Sequence, residues 1–298
     1  MRKEKNMRSF ENCNPIVVTG YFLSVIGMLM FSQNPVLLLL GFLGAVSYTL
    51  MRSRRPSAKS HLFYLLLFVI LTLINPLMSH NGKTVLLVIN DSPITFEALI
   101  YGVVSAGILV TVLYLFRSFS EIMTRDKLLY VFGSLSPKLA LILSMGLRYV
   151  PLFRERARKI SESQKALGLY KEDNILDKIK SDLRVFSILI TWALENGITT
   201  ADSMAARGYG KHRRTYFTLF KFRKSDAILL ILTILCSALT LVGMAMGTLD
   251  FIFYPTLKFG NLTPLGIAAY SAYGLLSVLP IILETEERLK WKYLQSKI

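Results

Sequence analysis

Six long apolar runs constrain the fold of this chain more than any other feature of its sequence. Each is close to the roughly 17–25 residues that a membrane-spanning helix needs. The runs cover residues 16–31, 36–51, 62–78, 96–116, 227–247 and 265–283. The pattern therefore predicts an all-α, polytopic membrane protein with about six transmembrane helices. The segments 79–93 and 248–264 between successive runs are expected to be loops.

The charge of the chain indicates how these helices are oriented. There are 35 Lys and Arg against 19 Asp and Glu, a formal net charge of +16. A nucleic-acid-binding protein can be this basic, but it would not also carry several long uncharged apolar runs. With six crossings, only Lys83 and Lys258 fall on one side, and the other 33 basic residues (35 − 2 = 33) fall on the opposite side. The positive-inside rule then predicts that both termini, residues 52–60 and the central region are cytoplasmic.

Hydropathy divides the chain into three regions. Residues 1–116 form an N-terminal membrane region with four spans, and residues 225–298 form a C-terminal membrane region with two spans and a charged tail. The basic N-terminus lacks a small-residue cleavage pattern and is expected to be a retained tail. Between them, residues 117–224 contain no apolar run long enough to cross a bilayer. This central region is predicted to be a cytoplasmic helical region.

Helix signals in the central region predict long amphipathic helices. Ser118 followed by Glu121 fits a capping box, and Ser136-Pro137 supplies an N-cap with proline at the first helical position. Apolar residues then recur at helical spacing from Leu139 to Phe153. A second amphipathic helix is predicted from about Ile175 to Gly208.

The end of that second helix is the best candidate for function. Glycine at the first non-helical position can take a positive φ and close the last turn, so Gly208 is expected to terminate the helix. Arg207 would then project from the helix C-terminus, where the macrodipole favours a cation. Taken alone, the tripeptide Ala206-Arg207-Gly208 is most simply interpreted as an ordinary helix cap.

The sequence argues against several kinds of chemistry. A P-loop requires a glycine at the position of Ala205 and Ser or Thr at the position of His212, so no ATP site is predicted. The histidines do not form a metalloprotease motif, and Cys13 and Cys236 lack metal-ligand spacing. No catalytic, cofactor or metal site is therefore expected in this chain. If ATP drives its work, another subunit must hydrolyse it.

A proline close to the end of the third run predicts a kink. Pro76 cannot donate a backbone hydrogen bond, so it frees a carbonyl in the preceding turn. The amide of Asn75 is expected to bond that carbonyl.

Four stretches of the chain resemble the transmembrane T component of energy-coupling factor (ECF) transporters, the family that includes the permease subunit of cobalt importers. They are Asn75 with PLMSHNGKT after it, SPITFEALIYG at 92–102, SMGLRYVPLFRERARKISESQKALG at 144–168, and ADSMAARGYG at 201–210. The resemblance covers essentially the whole chain, with these stretches in the same order. The resemblance implies a subunit in the plasma membrane of a bacterium or archaeon that takes part in the uptake of a vitamin or metal ion.

The resemblance also implies partners and partner-binding residues. In that family two long coupling helices each end in a short Ala-Arg-Gly-like motif that docks on an ABC-type ATPase subunit. The second motif carries over as Ala206, Arg207 and Gly208. The first falls at Ala166, Leu167 and Gly168, where leucine replaces the usual arginine and Lys165 substitutes for it only in part. The implied partners are two ATPases, a separate substrate-binding membrane (S) subunit and the lipid bilayer, with no nucleic acid.

Two other interpretations remain open on the sequence. One is a stand-alone secondary transporter or channel with a regulatory cytoplasmic helix bundle. It is weakened because the acidic residues Glu97 and Asp226 lie at the edges of the spans and no acidic or basic residue lies deeper. Ion-coupled proteins usually keep such a group at membrane depth. The other is an intramembrane enzyme, for which no convergent catalytic set is present.

Overall fold

The computed structural model describes residues 10–52, 58–78, 82–89, 92–170, 174–209, 220–260 and 263–295. The chain forms two compact units. The first, called the membrane unit below, comprises Met1–Leu128 and Phe220–Ile298, and the second, called the central unit, comprises Leu129–Leu219. The sequence-based boundary after residue 116 falls inside a helix that continues to Ile122, whereas the compact units divide after Leu128.

Nine α-helices account for most of the described residues. In chain order they are α1 Pro15–Phe31, α2 Pro35–Arg52, α3 Ala58–Met78, α4 Phe96–Ile122, α5 Arg125–Leu135, α6 Pro137–Ala166, α7 Ile175–Ala206, α8 Lys224–Ala245 and α9 Pro264–Gln295. Five of them (α2, α3, α4, α8 and α9) are long and apolar enough to cross a membrane, and α1 is a sixth apolar helix of 17 residues. The chain is an all-α, polytopic membrane protein, as the apolar runs predicted.

The starts of the spanning helices follow from local sequence. Asn14 stands before α1, and its side-chain oxygen accepts a hydrogen bond from the Ile16 amide at 3.0 Å, while Pro15 occupies the first helical position. Thr95 caps α4 in the same way by accepting from the Ala98 amide at 3.3 Å. Each cap satisfies one of the amides that a helix N-terminus leaves without an intrahelical partner.

An aromatic cluster forms the core at one end of the membrane unit. Phe10, in a short 3-10 turn (Phe10–Asn12), makes edge-on ring contacts with Tyr21, Phe22 and Tyr48, with centroids 5.2–6.1 Å apart. The Tyr21 hydroxyl donates to the Leu276 carbonyl of α9 at 2.9 Å, so this buried polar group is satisfied. The cluster joins the N-terminal turn to α1, α2 and α9.

Glycines allow the helices of the membrane unit to approach closely. A Cβ at Gly44 of α2 would lie 2.6 Å from the Ser277 carbonyl oxygen of α9, and one at Gly102 of α4 would lie 2.8 Å from the Thr72 carbonyl oxygen of α3. Small residues at such crossings are typical of helix packing in membranes. The Thr72 carbonyl lies four residues before Pro76, so it is the one that the proline leaves without an intrahelical donor.

The predicted role of Asn75 is wrong. Its amide donates to the Ser105 hydroxyl of α4 at 3.3 Å instead of to a carbonyl of its own helix. The reason is the close packing of α3 on α4 at Gly102, which brings Ser105 within reach. Asn75 therefore links two helices.

The predicted capping box at Ser118 and Glu121 is also wrong. Helix α4 continues through both residues to Ile122. Ser118 is buried, with its hydroxyl 3.1 Å from the Thr49 hydroxyl of α2, and Glu121 bonds Arg117 one turn earlier. Both side chains make tertiary or helix-surface contacts that the local sequence does not specify.

Two short hairpins replace parts of the predicted loops. Strands β1 Val85–Ile89 and β2 Ser92–Thr95 pair antiparallel, and β3 Phe251–Ile252 pairs antiparallel with β4 Lys258–Phe259. The first hairpin is fastened to α4, because the Thr84 hydroxyl donates to the buried Glu97 carboxylate at 2.7 Å.

Candidate functional site

The candidate site lies in the central unit, at the C-terminal ends of α6 and α7. Helix α6 begins at Pro137 after Ser136, which has an extended backbone but makes no side-chain cap bond. Its exposed face carries ion pairs four residues apart, including Lys159–Glu155 at 2.7 Å and Arg158–Glu162 at 2.8 Å. The hydrogen bond from Lys159 lowers the pKa of the Glu155 carboxyl. Such pairs support a long, largely solvated helix.

Aromatic and hydroxyl side chains hold α6 against α7. The Tyr149 hydroxyl lies 3.1 Å from the Thr200 hydroxyl, and the Phe153 ring meets the Trp192 ring edge-on at 5.9 Å. The Arg156 guanidinium lies 4.9 Å from the centre of the same Trp192 ring, a cation–π contact. Residue numbers that increase along α6, from Tyr149 to Phe153, are paired with numbers that decrease along α7, from Thr200 to Trp192. The two helices therefore run antiparallel.

Contacts made by the segment that connects the two helices agree with this antiparallel arrangement. The Tyr170 hydroxyl donates to the Asp182 carboxylate at 2.6 Å, and Arg184 donates to the Leu169 carbonyl at 3.3 Å. The end of α6 therefore lies beside the beginning of α7, and the end of α7 lies at the other end of the pair. From Tyr149 to Leu167 is 18 residues (167 − 149), and from Thr200 to Arg207 is 7 (207 − 200). The two helix ends are therefore about 25 residues apart along the pair (18 + 7), which at 1.5 Å per residue is about 38 Å.

The end of α6 is a Schellman motif. Gly168 follows the cap residue Leu167 with φ of +70°. Its amide donates to the Lys165 carbonyl at 3.0 Å, and the Leu169 amide donates to the Gln164 carbonyl at 2.9 Å. These two bonds satisfy carbonyls that a helix C-terminus otherwise leaves without donors.

The end of α7 repeats the same bonds. Gly208 follows the cap residue Arg207 with φ of +72°. Its amide donates to the Ala205 carbonyl at 3.0 Å, and the Tyr209 amide donates to the Met204 carbonyl at 3.1 Å. The prediction that Gly208 ends the helix with a positive φ is confirmed, and Gly168 has the same conformation at the first motif.

Side chains at matching positions of the two ends differ. Leu167 stands at the cap of α6 with 69% of its surface exposed, and Arg207, also exposed, stands at the cap of α7. Within the described ranges no hydrogen bond or ion pair involves the Arg207 guanidinium, which projects where the helix dipole favours a cation. Lys165 lies 4.8 Å over the Tyr170 ring, and the matching position of α7 is Ala205. Ala166 and Ala206 are the last helical residues.

Two residues at these helix ends were not identified as site residues from the sequence. Leu169 and Tyr209 each follow the glycine, and each donates to the carbonyl five residues earlier. Both side chains are about half exposed. An apolar residue directly after a helix-ending glycine is a known accompaniment of this motif and was the available signal. His212, one of the two positions used in the P-loop comparison, lies outside the described residues.

The sequence of the chain matches one protein-family model over most of its length. The family model of the cobalt transport protein CbiQ matches residues 14–217, a span that includes both helix ends. The chain belongs to the CbiQ family. The resemblance noted from the sequence is confirmed by this match.

Curated relatives carry the name energy-coupling factor transporter transmembrane protein EcfT. The proteins of Streptococcus equi and Listeria innocua are 31% identical over 100 residues and 36% identical over 96 residues, which is 33% and 32% of this chain. The protein of Lactococcus lactis is 31% identical over 107 residues, or 35% of this chain. The matched segments span 36–40% of the length of these relatives.

Proposed function

We propose that this CbiQ-family protein is the transmembrane T component of an ECF-type importer. In this proposal it joins two ABC-type ATPase subunits to a substrate-binding membrane subunit, and the complex takes up a vitamin or metal ion. ATP hydrolysis takes place on the partner subunits. The chain lies in the plasma membrane with its termini and its central region, residues 117–224, in the cytoplasm.

The observation that carries the proposal is the pair of helix ends. Two long helices in one unit finish in the same six-residue backbone motif, with exposed side chains, at opposite ends of an antiparallel pair. A single cap needs no function beyond ending a helix. Two matching caps about 38 Å apart, estimated at 1.5 Å per residue, are well placed to contact two separate subunits.

The chemistry of each end suggests its ATPase surface. The Arg207 guanidinium offers five donors in a fixed fork, which suits carboxylates and backbone carbonyls. Leu167 offers an apolar side chain of which 69% is exposed. We therefore infer that Ala206-Arg207-Gly208 docks on an acidic groove and Ala166-Leu167-Gly168 on a more apolar one. Lys165 makes a smaller contribution, because its ammonium already lies over Tyr170.

An apolar stripe along α7 supports contact with the substrate-binding subunit. Its exposed members recur three or four residues apart and so lie along one face of the helix. They are Ile175, Ile179, Leu183, Phe186, Ile190, Leu194 and Ile198. An exposed apolar surface of this length is typical of an interaction site. A membrane subunit that slides along it would receive the movement of the two helix ends.

Copurification tests the proposal. A tagged copy of the full chain, expressed with the ATPase genes of its own genome, should retain two ATPase subunits per chain in mild detergent. Arg207→Glu should release the ATPase that contacts the end of α7. Retention of no ATPase by the unaltered chain, together with substrate uptake by the chain alone, would instead support a stand-alone transporter.

Cysteine labelling tests the topology separately. Cys13 and Cys236 are buried, so their replacement by alanine gives a background for single cysteines. In intact cells an impermeant thiol reagent should label Lys83→Cys and Lys258→Cys, and it should not label Lys59→Cys until the cells are opened. The reverse pattern would contradict the orientation inferred from the basic residues.

A further inference from the structure

An apolar groove lies between α2, α3 and α4 in the membrane unit. Its volume is about 450 Å³, within the range of small-molecule sites. Leu38, Gly107 and Val110 form a buried floor, whereas Leu39 and Leu65 on the rim are 59% and 61% exposed. The groove is therefore open along its length on the surface of the helices.

The length of the groove matches one leaflet of a bilayer. Its lining on α4 runs from Val103 to Tyr114, which is 11 residues (114 − 103). At 1.5 Å per residue this is about 16 Å, close to half of the roughly 30 Å hydrocarbon thickness of a membrane. An occupant that follows the groove would thus extend from mid-membrane to one interface.

The interfacial end of the groove is polar. His61 Nδ1 lies 2.8 Å from the Tyr114 hydroxyl, and their rings are stacked with centroids 5.8 Å apart. When the hydroxyl donates to Nδ1, the ring carries its proton on Nε2, which is then a donor toward a ligand. Tyr64 packs against the same Tyr114 ring at 4.6 Å and completes this end.

A guanidinium stands one turn beyond this polar end. Val103, Gly107, Val110 and Tyr114 recur three or four residues apart along α4, and Arg117 continues the same helical face. Arg117 Nε contacts Glu121 Oε1 at 3.4 Å, which occupies one of its five N–H groups, and the described residues provide no further hydrogen bond to it. Lys59 is exposed at the start of α3, close to the same interface.

We propose that this groove binds one anionic phospholipid. An acyl chain lies along the floor of Leu38, Gly107 and Val110, and the phosphate is bound by His61 and Arg117. Charge complementarity favours this occupant. Among the described lining residues the polar side chains are at the end formed by His61, Tyr64 and Tyr114, and the Arg117 guanidinium follows Tyr114 by one helical turn. The proposal rests on the membrane unit and is independent of ATPase docking.

Native mass spectrometry of the purified full chain tests it. The detergent-solubilised protein is mixed with equal amounts of phosphatidylglycerol and phosphatidylcholine that carry identical acyl chains. One phosphatidylglycerol should be retained per chain, in clear preference to phosphatidylcholine. Arg117→Ala and His61→Ala should each reduce that preference, by about fivefold for the arginine, which is the effect expected of one basic residue near an anionic headgroup. Lys292→Ala, which removes an exposed charge on α9, should leave the preference unchanged.

A second pair of variants tests the apolar part. Leu65→Trp places a large ring over the groove and should abolish retention of the lipid. Leu66→Trp, on the neighbouring exposed position, is the matched control and should retain it. Equal retention of the two lipids, or retention that neither Leu65→Trp nor Arg117→Ala changes, would overturn the proposal.

Two further experiments test whether a free anion or a second protein occupies the groove instead of a lipid. Inorganic phosphate at millimolar concentration should not displace the lipid, and displacement would show a simple anion site instead. A photoreactive side chain in place of Leu65 should form a lipid adduct in cells. An adduct to a second protein in place of the lipid would assign the groove to a partner subunit.

Discussion

The end of α6 and the end of α7 share a backbone and differ in one cap side chain. Both place glycine at a φ near +70° and both make the same two bonds back to the last helical turn. The cap residue is Leu167 in one case and Arg207 in the other, and both are exposed. The backbone of the motif therefore depends on the glycine, and the cap residue is free to differ between the two ends.

Because the glycine sets the backbone and the cap residue sets the exposed surface, substitutions at these two positions should have different effects. A change at the cap residue should leave the helix end folded and alter the surface that is proposed to contact an ATPase. A change at the glycine alters the helix end itself. Comparison of equivalent positions at the two ends therefore distinguishes partner contact from simple helix capping.

Arg207→Glu is expected to have the largest effect. It places a carboxylate where the partner surface is inferred to be acidic, and it also opposes the helix dipole. Loss of one partner of a buried charge pair costs about 2–5 kcal/mol, so association of the ATPase at this end should fall at least about thirtyfold. The measurement is copurification of each ATPase, with uptake measured in the same cells.

The matched control for that reversal is Arg154→Glu. Arg154 is an exposed arginine on α6, away from both helix ends. It should leave both ATPases associated. If Arg207→Glu also retains both ATPases and full uptake, the end of α7 is only a cap, and the proposed contact is contradicted.

Leu167→Ala should have the second largest effect, and on the other ATPase. Burial of a leucine side chain contributes roughly 1.5–3 kcal/mol, and alanine retains only part of that. The loss should be independent of salt, whereas the weaker association of Arg207→Ala should come with a reduced salt dependence. Salt titration of the two complexes measures this difference.

Exchange of the two cap residues sharpens the comparison. In a chain that combines Leu167→Arg with Arg207→Leu, each ATPase meets the wrong side chain, and association of both should weaken. Restored association at exchanged positions, with each ATPase following its preferred residue to the other end, would show that the cap residue alone selects the partner.

Replacement of Gly168 or Gly208 by alanine should destabilise its helix end by the same modest amount, a smaller effect than that of the cap-residue substitutions. Nothing lies within 4 Å of a Cβ built at Gly168 or Gly208, so alanine there suffers only from the positive φ. A left-handed conformation costs an L-residue about 1–2 kcal/mol, and asparagine tolerates it better. Gly208→Ala should increase hydrogen exchange at the Tyr209 amide, and Gly208→Asn should largely restore protection. Unequal costs at Gly168 and Gly208 would contradict the equivalence of the two ends.

The sequence predicted the long elements well because their signals are local and repeated. The apolar run at 227–247 corresponds to α8, Lys224–Ala245, and the amphipathic pattern from Ile175 corresponds to α7. Proline at position 137 and glycine at 208 mark helix boundaries through their own backbone preferences. Each of these signals acts within a few residues of the feature it specifies.

Features that depend on contacts between residues far apart in the sequence could not be predicted from local sequence patterns. Ser118 and Glu121 match a capping box, but Ser118 meets Thr49 of α2, which the local sequence cannot reveal. The five apolar residues Val85–Ile89 are too short for their pattern to distinguish a strand from other structures. At the candidate site, the antiparallel order of α6 and α7 depends on contacts such as Phe153 with Trp192.

Lys165→Ala should have the smallest effect, and it tests whether lysine replaces the missing arginine at the end of α6. The Lys165 ammonium lies 4.8 Å from the centre of the Tyr170 ring, and Tyr170 in turn bonds Asp182 at the start of α7. An exposed cation–π contact contributes about 0.5–1 kcal/mol, so its loss should loosen this connection only slightly. Because that contact holds the ammonium on its own chain, ATPase association should fall by less than it does in Leu167→Ala.

Position 205 provides the control for that substitution, because Ala205 is the equivalent residue on α7. Ala205→Lys adds an ammonium at the end that already has Arg207, and it should not strengthen ATPase association appreciably. Lys165→Arg keeps the cation over the ring and should behave as the unaltered chain. A loss on Lys165→Ala as large as that on Arg207→Ala would instead show that the lysine makes the charge contact at this end. The two ends would then share their partner chemistry as well as their backbone.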